Sequence, residues 1–207
     1  MTLEDIKIYL PKFLSSLSEK ELFESISEFP DSLDQRFYTN YLKKEPVIYQ
    51  GDGINDLLII NLPNPEIKPA PGIILSNTCD IDPTNDRLFP SQIMYAPIFN
   101  LEKYQSILFE KSNKSNQQIL DHIKAIKNQE ITQIFYLPES PGTLSESLVF
   151  LDRIINFPNN MVDRNKITTQ RIFTLSDYGA YLFVLKLSIH FTRIKDQVER
   201  KSTSITE

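Results

Sequence analysis

The sequence predicts a mixed fold of the α+β class, in which a small β-barrel is flanked by helical segments. Three observations lead to this prediction. Short apolar runs follow one another at close spacing after Pro46, which is typical of antiparallel strands. A helical pattern precedes these runs, and one long amphipathic pattern closes the chain. A parallel doubly wound sheet would need a helical crossover between successive strands, and this spacing provides none.

The first 45 residues have a helical pattern and are predicted to form an N-terminal extension of the barrel domain. Apolar residues recur at steps of three and four from Leu3 to Leu17. Ser18 and Glu21 then have the spacing of a capping box, which opens a second helix. A third helix is predicted over residues 31–44, where it would bury Phe37 and Tyr41.

The barrel domain itself is predicted to span residues 46–200. Its strands are expected at residues 56–62, 72–76, 91–98, 131–137, 147–155 and 167–175. Residues 102–128 have the pattern of an inserted helical pair, whose second helix would bury Ile119, Ile123 and Ile126. A long helix is expected from about residue 177 to residue 200, with Ser176 as its N-cap. The polar tail 201–207 is expected to be flexible.

Composition narrows the functional classes. The net charge is −5, from 22 basic and 27 acidic residues, so binding to nucleic acid would need a local basic patch. The one cysteine, Cys79, cannot form an internal disulfide, which favours the cytoplasm. No apolar run approaches the roughly 20 residues that span a bilayer. The five glycines form neither a P-loop nor a dinucleotide fingerprint, and two histidines with one cysteine exclude a Cys/His zinc site. No metal or cofactor is expected.

Several segments of the barrel domain stand in a characteristic order. NDLLIINLP is followed by the proline-bearing stretch NPEIKPAP, by GIILSN and by NDRLFPSQIMYAPI, which runs into Ala-Pro. Near the end, SESLVFLDRIINFP precedes RIFTLSDYGAYLFVLKL. This order resembles the MazF/PemK toxin family over residues 52–198, apart from the insertion. The resemblance implies an SH3-like barrel and a role in a prokaryotic toxin–antitoxin or phage-defence system.

The resemblance also implies where catalytic residues would stand. Members of this family that cut RNA use an arginine before the second barrel strand and a threonine or serine at the end of the next, without a metal. The matched positions here are Ala70 and Phe99, which supply neither a cation nor a proton-transfer group. A shift of one or two residues would bring in Lys68 or Asn100, neither of which is an equivalent replacement. The family's own mechanism is therefore expected to be absent.

The most distinctive polar segment is residues 76–82, which directly follow a predicted buried strand. Loops at strand ends are where small barrels place ligand contacts. One hypothesis makes Cys79 a nucleophile and Asp80 a general base. The alternative makes Cys79 a buried small residue, with Asp80 and Asp82 in turn hydrogen bonds.

Four further residues of this segment and one arginine shortly after it are candidates for contact with a substrate or a phosphate. They are Ser76, Asn77, Thr78, Asp82 and Arg87. Arg87 has two interpretations, since it either binds phosphate or pairs with a nearby acid such as Asp86 or Asp82.

Three functions remain open. The first is a non-catalytic interaction subunit, favoured by the substituted catalytic positions, the acidic charge and the helical extensions. Its partner would be a protein encoded nearby or a second copy of the chain. The second is a metal-independent endoribonuclease or RNA-binding protein, and the third is an enzyme with a new site around Cys79 and Asp80.

Overall fold

The computed structural model describes residues 36–61, 63–85 and 87–192. The strands are β1 (Tyr38–Thr39), β2 (Gly53–Asn61), β3 (Glu66–Ile74), β4 (Gln92–Asn100), β5 (Ile134–Leu137), β6 (Ser147–Phe150), β7 (Ile155–Pro158) and β8 (Arg171–Leu175). The helices are α1 (Leu101–Lys111), α2 (Asn116–Lys127), α3 (Ile167–Gln170) and α4 (Asp177–Thr192), with two 3₁₀ turns at Asn159–Met161 and Arg164–Lys166. The predicted α+β class is confirmed. The helices predicted before residue 36, residues 193–200 of the predicted closing helix and the predicted tail 201–207 lie outside the described residues.

All strand pairs are antiparallel, and they join into one sheet of order β1-β8-β2-β3-β4-β6-β5. Strand β4 is shared between neighbours. Its first half pairs with β7, its middle with β3 and its last residues with β6. Among the described residues, no helix is long and apolar enough to cross a membrane.

The hairpin of β2 and β3 extends beyond the rest of the sheet. Strand β2 pairs with β8 only at Gly53 and Ile54, and β3 pairs with β4 only at residues 72–74. The strands expected at 56–62 and 72–76 leave the prolines at 69 and 71 between them, but both prolines belong to β3. Proline is tolerated at these two positions because the edge of β3 opposite β2 has no neighbouring strand there that would accept an N–H. A register shift marks a bulge in β2, where Asp56 has a φ of 61°.

Three apolar clusters hold the elements together. The first lies between the sheet and α4 and includes Phe37, Ile73, Phe135, Leu175 and Phe183. The second lies around β2, β3 and β4 and includes Ile54, Ile74, Ile93 and Tyr95. The third is formed where α1 and α2 cover β5 and β6. Ile119, Ile123 and Ile126 are the buried residues of α2, so the predicted helical pair and its apolar face are confirmed.

The predicted helix over residues 31–44 is wrong after Arg36, which is helical. Tyr38 and Thr39 form β1 and pair with Leu175 and Thr174 of β8, and residues 41–44 are turns. Phe37 is buried as predicted, but Tyr41 is exposed. Pairing with β8 overrides the local helical pattern, because it places Phe37 in the first cluster. The predicted boundary at residue 46, between the N-terminal extension and the barrel domain, stays a prediction.

Two predicted strands are also divided in the structure. The strand expected at 147–155 is broken at residues 151–154, and its halves, β6 and β7, pair with different parts of β4. Residues 167–175 begin with the single turn of α3 before β8. Leu151 in the first break and Ile167 in α3 are as buried as the strand residues beside them, so hydrophobicity alone could not locate the breaks.

Candidate functional site

All of the candidate site residues lie in the loop that joins β3 to β4. Its first residue with a polar side chain, Ser76, is buried. The Ser76 hydroxyl accepts a hydrogen bond from Met94 N at 2.7 Å and donates one to Gln92 O at 3.3 Å. Ser76 therefore ties the two strands together and is not available to a ligand.

The next two residues support the backbone of the same loop. The Asn77 side-chain oxygen accepts from Cys79 N at 2.9 Å, which is the geometry of an Asx turn. The Thr78 hydroxyl accepts from Gln50 N at 3.0 Å and so links this loop to the segment before β2. Both side chains thus have structural partners.

Cys79 is exposed, so the prediction of a buried small residue is wrong. Within the described residues its thiol makes no hydrogen bond, and no histidine pairs with it. Asp80 was predicted to accept turn hydrogen bonds, but it forms an ion pair with Arg87 at 2.8 Å. Arg87 therefore pairs with Asp80, and not with the predicted Asp82. The geometry gives Cys79 no adjacent base, which a cysteine nucleophile normally needs.

Asp82 makes the turn that the sequence predicts. Its Oδ1 accepts from Thr84 N at 2.8 Å and from the Thr84 hydroxyl at 2.7 Å. These two hydrogen bonds hold the pKa of the Asp82 carboxyl below its usual value. Asp82 remains ionised at neutral pH and caps the turn.

Asn159 and Arg164, which lie far along the chain, support this loop through hydrogen bonds. The carbonyl of Ile81 accepts from Asn159 Nδ2 and from an Nη of Arg164, both at 3.0 Å. Asn159 Nδ2 also donates to Ser91 Oγ at 2.8 Å, and Arg164 donates to Asn159 Oδ1. Burial lowers the pKa of the Arg164 guanidinium, while the charge of Asp82 opposes that shift. No local pattern predicts this support, because the partners are about 80 residues apart.

A polar cavity of about 340 Å³ opens beside the loop. Its walls include Asp82, Thr84, Arg87, Ser91 and Asn159. Arg87 is the guanidinium in this wall, and an incoming anion would have to compete with Asp80 for it. Because of this competition, the cavity suits a polar ligand better than a strongly anionic one. In the described part of the chain, no group of three or more His, Cys, Asp or Glu residues could hold a metal ion.

The positions matched to the family's catalytic residues are used for folding. Ala70 pairs with Leu57 in the hairpin, and the ring of Phe99 packs on Phe150 with centroids 5.4 Å apart. Lys68 forms an ion pair with Glu66 at 2.8 Å. The Asn100 side chain caps α1 by accepting from Lys103 N and also donates to Ser145 Oγ, each at 2.8 Å. None of these four residues is placed as a free cation or a free hydroxyl group.

Sequence reasoning also missed the most buried polar pair in the described residues. Arg171 Nε lies 3.1 Å from Asp52 Oδ2, and both side chains are almost completely inaccessible. These residues are 119 positions apart, and neither belongs to a recognisable motif. Arg171 also donates to backbone carbonyls of residues 42 and 45, as expected of a structural pair.

No known protein-family model and no curated protein matches this chain. The α+β class therefore rests on the strand order and packing described above. The function has to be argued from the surface and from the site of this protein itself.

Proposed function

We propose that the chain is a non-catalytic interaction subunit, a diverged MazF/PemK-like module with an SH3-like barrel. Its β2–β3 hairpin binds a protein partner. The observation that carries this proposal is the exposed apolar face of that hairpin, which we call the hairpin face and define as Leu58, Ile60, Ile67 and Pro69.

The four residues lie on one side of the hairpin because of its register. Ile60 is directly opposite Ile67, and Leu58 is directly opposite Pro69. Side chains on a strand point to alternate sides, so the positions 58 and 60 share a face. Leu58, Ile60 and Ile67 are 57%, 43% and 58% exposed, which is unusual for three neighbouring large aliphatic residues. A contiguous apolar patch of this kind marks an interaction surface.

The hairpin is held firmly enough to present this face. On its other side, Leu57 and Ile59 pack into the second cluster. The Tyr95 hydroxyl donates to the carbonyl of Leu58, which fixes the outer part of β2. Along β3, Pro69 has no N–H to offer to an added strand. The side chains of the hairpin face are therefore the better means of binding a partner.

The loop site supports a non-catalytic role. Each of its polar side chains has a structural partner, and Cys79 has no neighbouring base among the described residues. Ribonuclease activity of the family type would need a cation and a hydroxyl group where Ala70 and Phe99 stand. The net charge of −5 also disfavours RNA as the main partner.

The test is copurification of the chain with the product of its neighbouring gene. A variant with Leu58→Ser, Ile60→Ser and Ile67→Ser should lose the partner and keep the circular dichroism spectrum of the parent. The matched control is Leu88→Ser with Phe89→Ser, since these residues are also exposed and apolar but lie in the β3–β4 loop. The control should retain the partner.

Two results would overturn the proposal. One is unchanged capture of the partner by the hairpin variant, and the other is cleavage of total RNA into discrete fragments by the parent protein in EDTA. If the parent is instead a homodimer that the hairpin variant converts to a monomer, the partner is a second copy and the interaction role stands. The proposed setting, a toxin–antitoxin or phage-defence system, is tested by scoring growth and phage survival with and without the neighbouring genes.

A further inference from the structure

A second cavity, of about 280 Å³, lies on a different part of the molecule. It is bounded by the segment before β2, by β8 and by the first half of α4. The polar residues in its wall are Tyr49, Gln50, Thr78, Thr174, Asp177 and Tyr181. Leu42, Leu175, Ala180 and Val184 supply the apolar part. Apart from Thr78, none of these residues belongs to the loop site.

One hydroxyl group in this wall is buried without a partner. Tyr181 is 5% exposed, and its oxygen has no hydrogen-bond partner among the described residues. The Thr174 hydroxyl, by contrast, faces the Asp52 carboxyl and lowers its pKa. Burial raises the pKa of the Tyr181 hydroxyl, so the phenol remains neutral at physiological pH. A buried hydroxyl that lacks a partner is costly. The cost is reduced if a ligand in the cavity donates to this oxygen.

The charged residue in the cavity wall is acidic. It is Asp177, whose carboxylate is exposed in the first turn of α4. Behind Thr174 lies the Asp52 carboxylate, whose charge is balanced by Arg171. No lysine or arginine lines the cavity in the described part of the chain. Tyr181 adds aromatic surface, which attracts cations, whereas the Arg171 guanidinium already lies 5.8 Å from the centre of the Tyr49 ring.

We propose that this cavity binds an alkylammonium or alkylguanidinium group. An N–H group of the ligand donates to Tyr181 Oη, and the positive charge faces Asp177. The aliphatic stem packs on Leu175 and Val184. The volume lies just below the range of about 300–1,000 Å³ that is usual for drug-sized ligands, so the bound group is small. This site is independent of the hairpin face.

Calorimetric titration of the full chain with four molecules of similar size tests the preference for a cation. The probes are n-butylguanidinium, n-butylammonium, 1-pentanol and pentanoate. The two cations should bind about tenfold more tightly than pentanol, and pentanoate should not bind detectably. Equal affinity for pentanol and the cations would overturn the proposal.

Variants then test the contacts. Tyr181→Phe should weaken butylguanidinium binding about fivefold to tenfold without lowering the melting temperature, because the lost hydroxyl has no internal partner. Tyr178→Phe is the matched control, since Tyr178 is equally buried on α4 but does not line the cavity. Asp177→Asn, on the surface, should also weaken binding of the cation. Unchanged affinity in both Tyr181→Phe and Asp177→Asn would show that the site is elsewhere.

N-acetyl-arginine methylamide identifies the source of the cation. If it binds as tightly as butylguanidinium, the cavity accepts an arginine side chain from a protein. If the small amines bind and this probe does not, the ligand is a free metabolite. Both results support the cavity as a cation site, and neither depends on whether the hairpin variant loses its partner.

Discussion

Two aspartate–arginine pairs in this molecule have similar geometry and very different surroundings. Asp52 and Arg171 approach to 3.1 Å, and Asp80 and Arg87 approach to 2.8 Å. The side chains of the first pair are 0% and 1% exposed, whereas those of the second are 64% and 44% exposed. The comparison shows that the distance between two charges says little about their importance. Access to water determines how much of the free energy of unfolding is lost when one of the two charges is removed.

The buried pair organises the chain around it. The Arg171 guanidinium donates to the carbonyls of residues 42, 43, 45 and 47, at 2.8 Å for Leu42 and Glu45. It therefore holds the segment between β1 and β2 against β8. Burial raises the pKa of the Asp52 carboxyl, and a hydrogen bond from Tyr49 N and the charge of Arg171 oppose the shift. Arg171 and Tyr49, which donate to the Asp52 carboxylate, are in turn held in place by these hydrogen bonds.

Removal of the Arg171 charge should have the largest effect. Arg171→Met leaves the Asp52 carboxylate buried and uncompensated, and it leaves several carbonyls without donors. We expect a loss of about 3–5 kcal/mol in the free energy of unfolding, measured by urea denaturation. Arg87→Met is the matched control. A loss below about 1 kcal/mol for Arg171→Met would mean that water reaches Asp52 and that the contrast between the pairs is false.

Lys186 sharpens the contrast because it is a buried cation whose contact is a carbonyl and not a carboxylate. It lies on α4, it is buried, and its ammonium donates to Gln129 O. Burial lowers its pKa from 10.5 to about 8. Between these values the folded chain loses a proton that the unfolded chain retains, so stability rises with pH.

The measurement is the free energy of unfolding at several pH values for the parent and for Lys186→Met. The parent should gain about 2 kcal/mol relative to this variant between about pH 7 and pH 9.5. Lys124→Met, which removes an exposed lysine of α2, is the control for loss of a surface charge. A difference between parent and Lys186→Met that does not change with pH would show that the ammonium is hydrated in the folded state.

The same contrast explains what the sequence could predict. The apolar face of α2 and the Asp82 turn were predictable, because their partners lie within a few residues. Most strands were predictable as apolar runs, but their ends depend on pairing partners. The ion pair of Asp52 and Arg171 joins residues that are far apart in the sequence, and no pattern near either residue predicts the pair.

The candidate site was predictable in place but not in detail. The polar loop after β3 could be recognised from its position behind an apolar run. Its support by Asn159 and Arg164 is contributed from residues far along the chain. The exposure of Cys79 also depends on how the loop folds, since cysteine is among the more often buried residue types.

The exposed pair should give the smallest effect. Arg87→Ala removes a single ion pair that water surrounds, and exposed pairs contribute about 0.2–1 kcal/mol. We expect a change within that range in urea denaturation, and a smaller one in 1 M salt because screening has already weakened the pair. A loss above about 2 kcal/mol would show that the loop depends on Arg87 for its fold. In that case Arg87 would resemble Arg171, and exposure would be a poor guide to which of the two pairs is structural.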